Sequence, residues 1–139
     1  MLVSDLAKAA GVTGETVRHY TRKGLIKAQQ NPENQYHEYD LQALQRLRFI
    51  KRARALGFSL NEIQDIIGLA EHGESPCPTV RDLMAEKIPE TERKIAELER
   101  HLALMKAALT DWQTQPDGVP TGSSICCLIE DWSQETTDE

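Results

Sequence analysis

The sequence predicts a mainly all-α chain: a small head of short helices with one hairpin, a single long heptad helix, and a short cysteine-bearing C-terminal turn. Three observations lead there. Residues 1–70 break into short apolar-periodic stretches bounded by capping residues and glycines. Residues 79–110 carry one apolar stripe whose gaps alternate four and three without a slip. Charge divides the same way: residues 1–70 hold ten Lys/Arg and seven Asp/Glu, a net of +3, and residues 71–139 hold six and fifteen, a net of −9. The whole-chain charge of −6 at first argues against nucleic acid, but the split suggests a binding head on a non-binding body.

The first helix is expected to be capped by Ser4, with Leu6, Ala7 and Ala10 on its apolar face and Gly11 at its end. Thr13 caps a second helix running from about Gly14 to Lys23, and Gly24 ends it. Two short helices joined by Ala10-Gly11-Val12-Thr13 read as a helix-turn-helix, or as any α-α corner of a small helical protein. The second helix exposes Glu15, Arg18, His19, Tyr20, Arg22 and Lys23, which supply donors for base edges and phosphates. A solvated basic face is the plainer alternative. Residues 25–39 read as a loop and a hairpin or wing, turning at Asn31-Pro32-Glu33-Asn34, with Tyr36 and Tyr39 flanking His37 and Glu38. Asp40 caps a third helix with Leu41, Leu44, Leu47, Ile50 and Leu56 as its buried stripe and Arg46, Arg48, Lys51, Arg52 and Arg54 outside. Ser59 and Glu62 form a capping box for a fourth helix that buries Ile63, Ile66 and Ile67.

Residues 1–70 resemble the winged-helix head of the MerR family of bacterial transcription regulators. The residues that carry the resemblance are Thr-Val-Arg-His-Tyr at 16–20, Lys-Gly-Leu at 23–25, Asn-x-Tyr-x-x-Tyr at 34–39, and Arg-Ala-Arg-Ala-Leu-Gly-Phe-Ser-Leu-Asn-Glu-Ile at 52–63. The resemblance implies a winged helix-turn-helix that binds double-stranded promoter DNA. Arg18 and Tyr20 would face DNA, Tyr36 and His37 would belong to the wing, and Arg54 would reach the backbone beside it. Glu15, Thr16, His19 and Lys23 complete the expected DNA-contacting set. Two departures stand out. The family usually has an aromatic where His19 stands, and Gly-Tyr-Arg where this chain has Gln35-Tyr36-His37. A histidine in the wing is a weaker phosphate contact than an arginine.

The stripe of the long helix runs Met84, Ile88, Thr91, Ile95, Leu98, Leu102, Met105, Leu109. About 32 residues at ~1.5 Å each make a rod of about 48 Å. One apolar stripe that long needs a partner, and a homodimer is the expected one; packing on the chain's own head is the alternative. The resemblance implies that the coiled coil is antiparallel. Pro89 removes the backbone donor to the Ala85 carbonyl and is expected to kink the helix.

Three cysteines, two of them adjacent, do not suggest a disulfide framework. Cys77 lies between Pro76 and Pro78 just before the expected helix start, where Thr79 with Asp82 reads as the N-cap and the dipole favours negative charge. Cys126 and Cys127 fall in Ile125–Trp132, a short amphipathic turn beyond a Gly/Pro-containing loop. Read alone, a cysteine is usually a small hydrophobe, His72 a solvated linker residue, and His101 a surface residue of the long helix. In metal-sensing MerR regulators a cysteine at the start of the dimer helix meets cysteines of the other subunit's C-terminal loop, and Cys77 and Cys126 match those places. A cysteine at the first place goes with divalent ions. The loop lacks the usual opening cysteine, at Asp111-Trp112-Gln113, and Cys127 is the candidate replacement. Three thiolates would suit Hg(II) or Pb(II); Zn(II) or Cd(II) would want a fourth ligand.

The expected organisation is a winged helix-turn-helix at 1–72, a linker at 73–78, a coiled-coil dimerisation helix at 79–111, a metal loop and short helix at 112–132, and a disordered tail at 133–139. The resemblance implies a homodimer that binds a divalent thiophilic ion and distorts its promoter until RNA polymerase engages it, typically at an efflux or detoxification operon. A regulator that senses oxidants or electrophiles through the same thiols is the alternative. No Gly-rich phosphate loop, His-Glu-x-x-His or nucleophile–base pair points to an enzyme. The absence of a secretory signal and of long apolar runs predicts a cytoplasmic address and no membrane partner.

Overall fold

The computed structural model describes residues 1–132; the tail expected at 133–139 lies outside the described residues. The order of elements is α1 (Val3–Ala10), α2 (Gly14–Arg22), β1 (Gln29–Gln30), β2 (His37–Glu38), α3 (Leu41–Leu56), α4 (Leu60–Glu71), α5 (Cys77–Trp112) and α6 (Cys127–Glu130). The predominance of helix and the single long helix match the sequence prediction. No helix among the described residues is long and apolar enough to cross a membrane. The chain divides into two compact units, Met1–Met84 and the remainder from Ala85.

The first unit is built on side chains from α1 to α4 and the segments between them. Leu6, Val17, Leu25, Leu47, Ile50 and Ile63 are fully buried, each contributing roughly 1.5–3 kcal/mol through removal of apolar surface from water. Caps fix the helix starts. Thr13 Oγ1 accepts from Thr16 N at 3.1 Å, and Asp40 Oδ1 accepts from Ala43 N at 2.9 Å. Ser59 and Glu62 cap each other's backbone N–H, at 3.1 and 2.8 Å. At α1 the expected cap is wrong: the N-cap position is Leu2, and the Asp5 carboxylate, reaching back to Leu2 N at 3.1 Å, replaces Ser4. A carboxylate three residues into the helix can reach that exposed donor and complements the dipole.

The stripe of α3 also differs. Ala43, Leu44, Leu47, Ile50 and Ala53 are buried, whereas Leu41 and Leu56 are exposed. Both lie in the terminal turns, outside the 43–53 stretch that packs on its neighbours. The basic residues of α3 do more than face solvent. Lys51 Nζ donates to the Ala10 and Gly11 carbonyls at 3.1 and 3.0 Å, and Arg48 reaches the Ala9 carbonyl at 3.4 Å. These cations satisfy carbonyls at the negative end of α1. Gly11 has φ +71° and lies so close to Lys51 that an added Cβ would stand 2.8 Å from Nζ. Arg46 pairs with Glu71 at 3.1 Å, tying α3 to α4.

β1 and β2 form an antiparallel wing in the register Gln29↔Glu38 and Gln30↔His37. Tyr39 follows β2 and is buried, its hydroxyl 2.7 Å from Thr21 Oγ1. That contact joins the end of α2 to the base of the wing.

The sequence predicts that the long helix starts at Thr79; α5 begins two residues earlier, at Cys77. The Pro76 carbonyl accepts from Val80 N at 2.9 Å, and Ser75 Oγ accepts from Cys77 N at 3.3 Å. Pro78 suits a first helical turn, since its φ is fixed near the helical value and no donor is needed there. α5 continues through Pro89. Val80, Leu83 and Met84 pack against the first unit's core.

In the second unit, Ile88, Ile95, Leu98, Leu102, Met105 and Leu109 are all at least half exposed. Ala108 is the one buried residue of α5.

Candidate nucleic-acid interface and thiols

The second helix presents a charged outer surface. Glu15 is exposed and its carboxylate lies 3.3 Å from Arg18 Nη1 and 3.7 Å from Arg22 Nη2. These are solvent-exposed pairs, so they orient the guanidinium groups without adding much stability. Thr16 is half-buried, its Oγ1 2.9 Å from Thr13 Oγ1. Lys23 is exposed, and its carbonyl accepts from Gln64 Nε2 at 2.9 Å. His19 and Tyr20, expected on the exposed face, are half-buried. Their rings are tilted together with centroids 5.8 Å apart, and Tyr20 packs against the core. Positions 17 and 20 are one helical turn apart, so burying Val17 turns Tyr20 inward.

The wing places Tyr36 and His37 in the open, Tyr36 with 62% of its surface accessible. Its tip is an Asx-type turn: Asn31 Oδ1 accepts from Glu33 N at 2.8 Å, and Asn34 Oδ1 accepts from Tyr36 N at 3.0 Å. Gln35 has φ +64°, the left-handed conformation. Arg18, Tyr36 and His37 line one open groove of about 560 Å³ together with apolar side chains of α1. The structure therefore brings the second helix and the wing to a common face. Arg54 is exposed and donates through Nη1 to the Phe58 carbonyl at 3.0 Å.

All three cysteines are free thiols. Cys77 is exposed as the first residue of α5. Cys126 is half-exposed and extended, with φ −141° and ψ 113°, and stands at the N-cap of α6. Cys127 is exposed and begins α6. The backbone thus leaves helical geometry between the two adjacent thiols, so helical spacing does not force their side chains apart. Cys127 Sγ packs on Gly118, where an added Cβ would lie only 2.6 Å away. Glu130 closes the turn by accepting from Ile125 N at 2.8 Å. Among the described residues of a single chain, no three His, Cys, Asp or Glu side chains converge as a metal-holding group. His72 is the C-cap of α4, with Nδ1 hydrogen-bonded to the Gly68 carbonyl at 2.8 Å; His101 is exposed on α5.

The contacts of Thr21 and Gln64 and the caps made by Lys51 are not legible in the sequence. A lysine pattern on an outer helix face looks the same whether it meets solvent or a neighbouring carbonyl. Trp112 was legible only as part of the loop opening, yet its indole Nε1 donates to the Leu128 carbonyl at 3.0 Å.

A helix-turn-helix with a two-stranded wing, joined to a long helix bearing an exposed apolar stripe, defines a DNA-binding regulator built for a partner. Comparison with known proteins gives the family. The family described as MerR HTH family regulatory protein matches residues 1–69, and that described as MerR, DNA binding matches residues 44–110. The mercuric resistance operon regulatory protein of Bacillus cereus is 41% identical over 98 residues, covering 70% of this chain and 74% of that protein. The HTH-type transcriptional regulator CueR of Escherichia coli is 35% identical over 137 residues, covering 96% and 94%. A transcription regulator from Ralstonia metallidurans, solved in complex with lead(II), superposes with a TM-score of 0.67 at 29% identity, covering 94% of this chain and 98% of that one. The chain belongs to the MerR family of DNA-binding transcriptional regulators.

Proposed function

We propose that this MerR-type regulator works as a homodimer that senses a divalent thiophilic metal ion and activates a metal efflux or detoxification promoter. The observation that carries the reading is the set of three free, accessible thiols, one opening the long helix and two in the turn that follows its loop. Relatives named for mercuric resistance, and one solved with lead(II), support it. The donor set fits a soft ion, since thiolate sulfur prefers Hg(II), Pb(II), Cd(II) or Zn(II) to hard cations. Cys77 of one protomer with Cys126, and Cys127 as the further ligand, of its partner would hold the ion; bound there, it supplies a cross-link between subunits.

The exposed stripe from Ile88 to Leu109 is the surface a second copy would cover, in antiparallel pairing. The stripe covers 22 residues, from Ile88 to Leu109, whose 21 rises of ~1.5 Å separate its ends by about 32 Å. Met84, the first residue of the expected seam, already packs on the head core, so the seam proposed here begins at Ile88. On the head, Arg18, Lys23 and Arg54 would contact phosphate or base edges, with Glu15 and Thr16 orienting them. Tyr36 and His37 would reach the DNA backbone from the wing, and His19 and Tyr20 would support the helix from its half-buried side. Activation is a two-state coupling: the ion must favour the dimer geometry that distorts DNA, and the difference in its affinity for the two geometries offsets the cost of distortion. RNA polymerase then engages the realigned promoter elements.

Metal content of the reduced protein tests the reading. Wild type, Cys77→Ser and Cys126→Ser are incubated with Hg(II), Pb(II), Cd(II) or Zn(II), desalted against a competing thiol, and the bound ions counted. Retention by wild type and loss in both variants is expected. Failure of wild type to retain any of the four overturns the metal reading and leaves the thiols as redox sensors.

A further inference from the structure

The loop that carries Cys126 and Cys127 is long, and Pro116, Gly118, Pro120 and Gly122 give it little regular structure of its own. Something must hold its far end in one place. The Trp112 indole does so by two contacts. Its Nε1–H donates to the Leu128 carbonyl at 3.0 Å, and its ring meets Trp132 edge-to-face, with centroids 6.1 Å apart at 70°. Trp112, Trp132 and Ile129 continue the apolar surface of α5 formed by Leu102, Met105 and Leu109. Leu128 lies between the cysteines and Trp132, so a bond to its carbonyl fixes the turn on which both thiols stand.

We infer that Trp112 is a positioning residue, a clasp that closes the loop and holds the Cys126–Cys127 turn in register before any ion binds. The inference rests on the proposed metal reading only for what the positioning serves; the clasp itself is a property of the metal-free chain. The indole acts through one hydrogen bond and one ring contact, and it offers no metal ligand. An unclasped loop would have to be ordered by the ion, and that entropy would weaken binding.

Hydrogen exchange of the 125–132 segment, in the reduced metal-free full-length protein, tests it for wild type, Trp112→Phe and Trp112→Ala. Phenylalanine keeps an aromatic ring but removes the donor, together with part of the indole's packing surface. The exchange rate is expected to rise about fivefold in Trp112→Phe, the factor corresponding to one ordinary net hydrogen bond, and further in Trp112→Ala, with helix content by circular dichroism unchanged in the phenylalanine variant. Exchange in Trp112→Phe equal to wild type overturns the clasp. Hg(II) retention against a competing thiol, measured on the same proteins, is expected to weaken in the order wild type, Trp112→Phe, Trp112→Ala. Faster exchange with Hg(II) retention unchanged across the three overturns the positioning role. If wild type retains no Hg(II) and exchange still responds, the metal reading fails for that ion and the clasp stands.

Discussion

Gln35 holds φ +64° at the tip of the wing, a conformation that costs a residue with a Cβ roughly 1–2 kcal/mol. Its side chain returns part of that: Gln30 Nε2 donates to Gln35 Oε1 at 3.0 Å and to its carbonyl at 3.1 Å. The sequence marked this position as a departure, because the family usually has glycine there, and the backbone supplies the physical reason. Gln35→Gly is expected to raise wing stability by up to ~1 kcal/mol, read as slower hydrogen exchange across residues 31–38. Next to it, His37 stands exposed in β2. Replacing it with arginine adds a permanent cation. His37→Arg is expected to tighten operator binding and to steepen the slope of log affinity against log salt by about 0.9 per protomer. An unchanged slope would mean that the wing does not touch phosphate.

Three of the helix starts in the head are legible in the sequence from caps made by neighbouring residues; that of α1 is not, because Asp5 rather than Ser4 supplies the cap. Thr13, Asp40 and the Ser59–Glu62 pair all open their helices as their spacing predicts. The start of α5 lies before the position the sequence predicts, because Thr79 resembles a cap, whereas Pro78 makes a better first turn than an interruption. The roles of Lys51 and Arg48 could not be read locally, since they depend on α1 lying beside α3. Lys51→Met keeps much of the stem and removes the donor. It is expected to destabilise the head by about 1 kcal/mol, seen as a lower denaturation midpoint. On α5, the six exposed apolar side chains from Ile88 to Leu109 were legible from heptad spacing alone. Leu98 is 66% exposed. Leu98→Glu is therefore expected to leave the folded head intact by circular dichroism and to convert the dimer to monomer in sedimentation. Loss of head structure with the dimer retained would argue that Leu98 serves the fold instead.

At the scale of the whole molecule, the sequence made the division of labour visible through charge, a basic head and an acidic remainder. It also showed all three thiols. It could not show that Cys126 is extended while Cys127 begins a helix, or that Trp112 bonds the carbonyl just beyond them, because those follow from how the loop folds back. In the proposed site the ion bridges two subunits, with Cys77 from one and Cys126 from the other. A mixed dimer that pairs a Cys77→Ser protomer with a Cys126→Ser protomer distinguishes this bridge from a site within one chain. Each mutant homodimer should retain no ion against a competing thiol. The mixed dimer has one intact Cys77 and one intact Cys126 on opposite subunits, so it should retain one ion, half the wild-type content. No retention by the mixed dimer, with wild type fully loaded, would place both thiols of each site on the same chain and rule out the bridge between subunits.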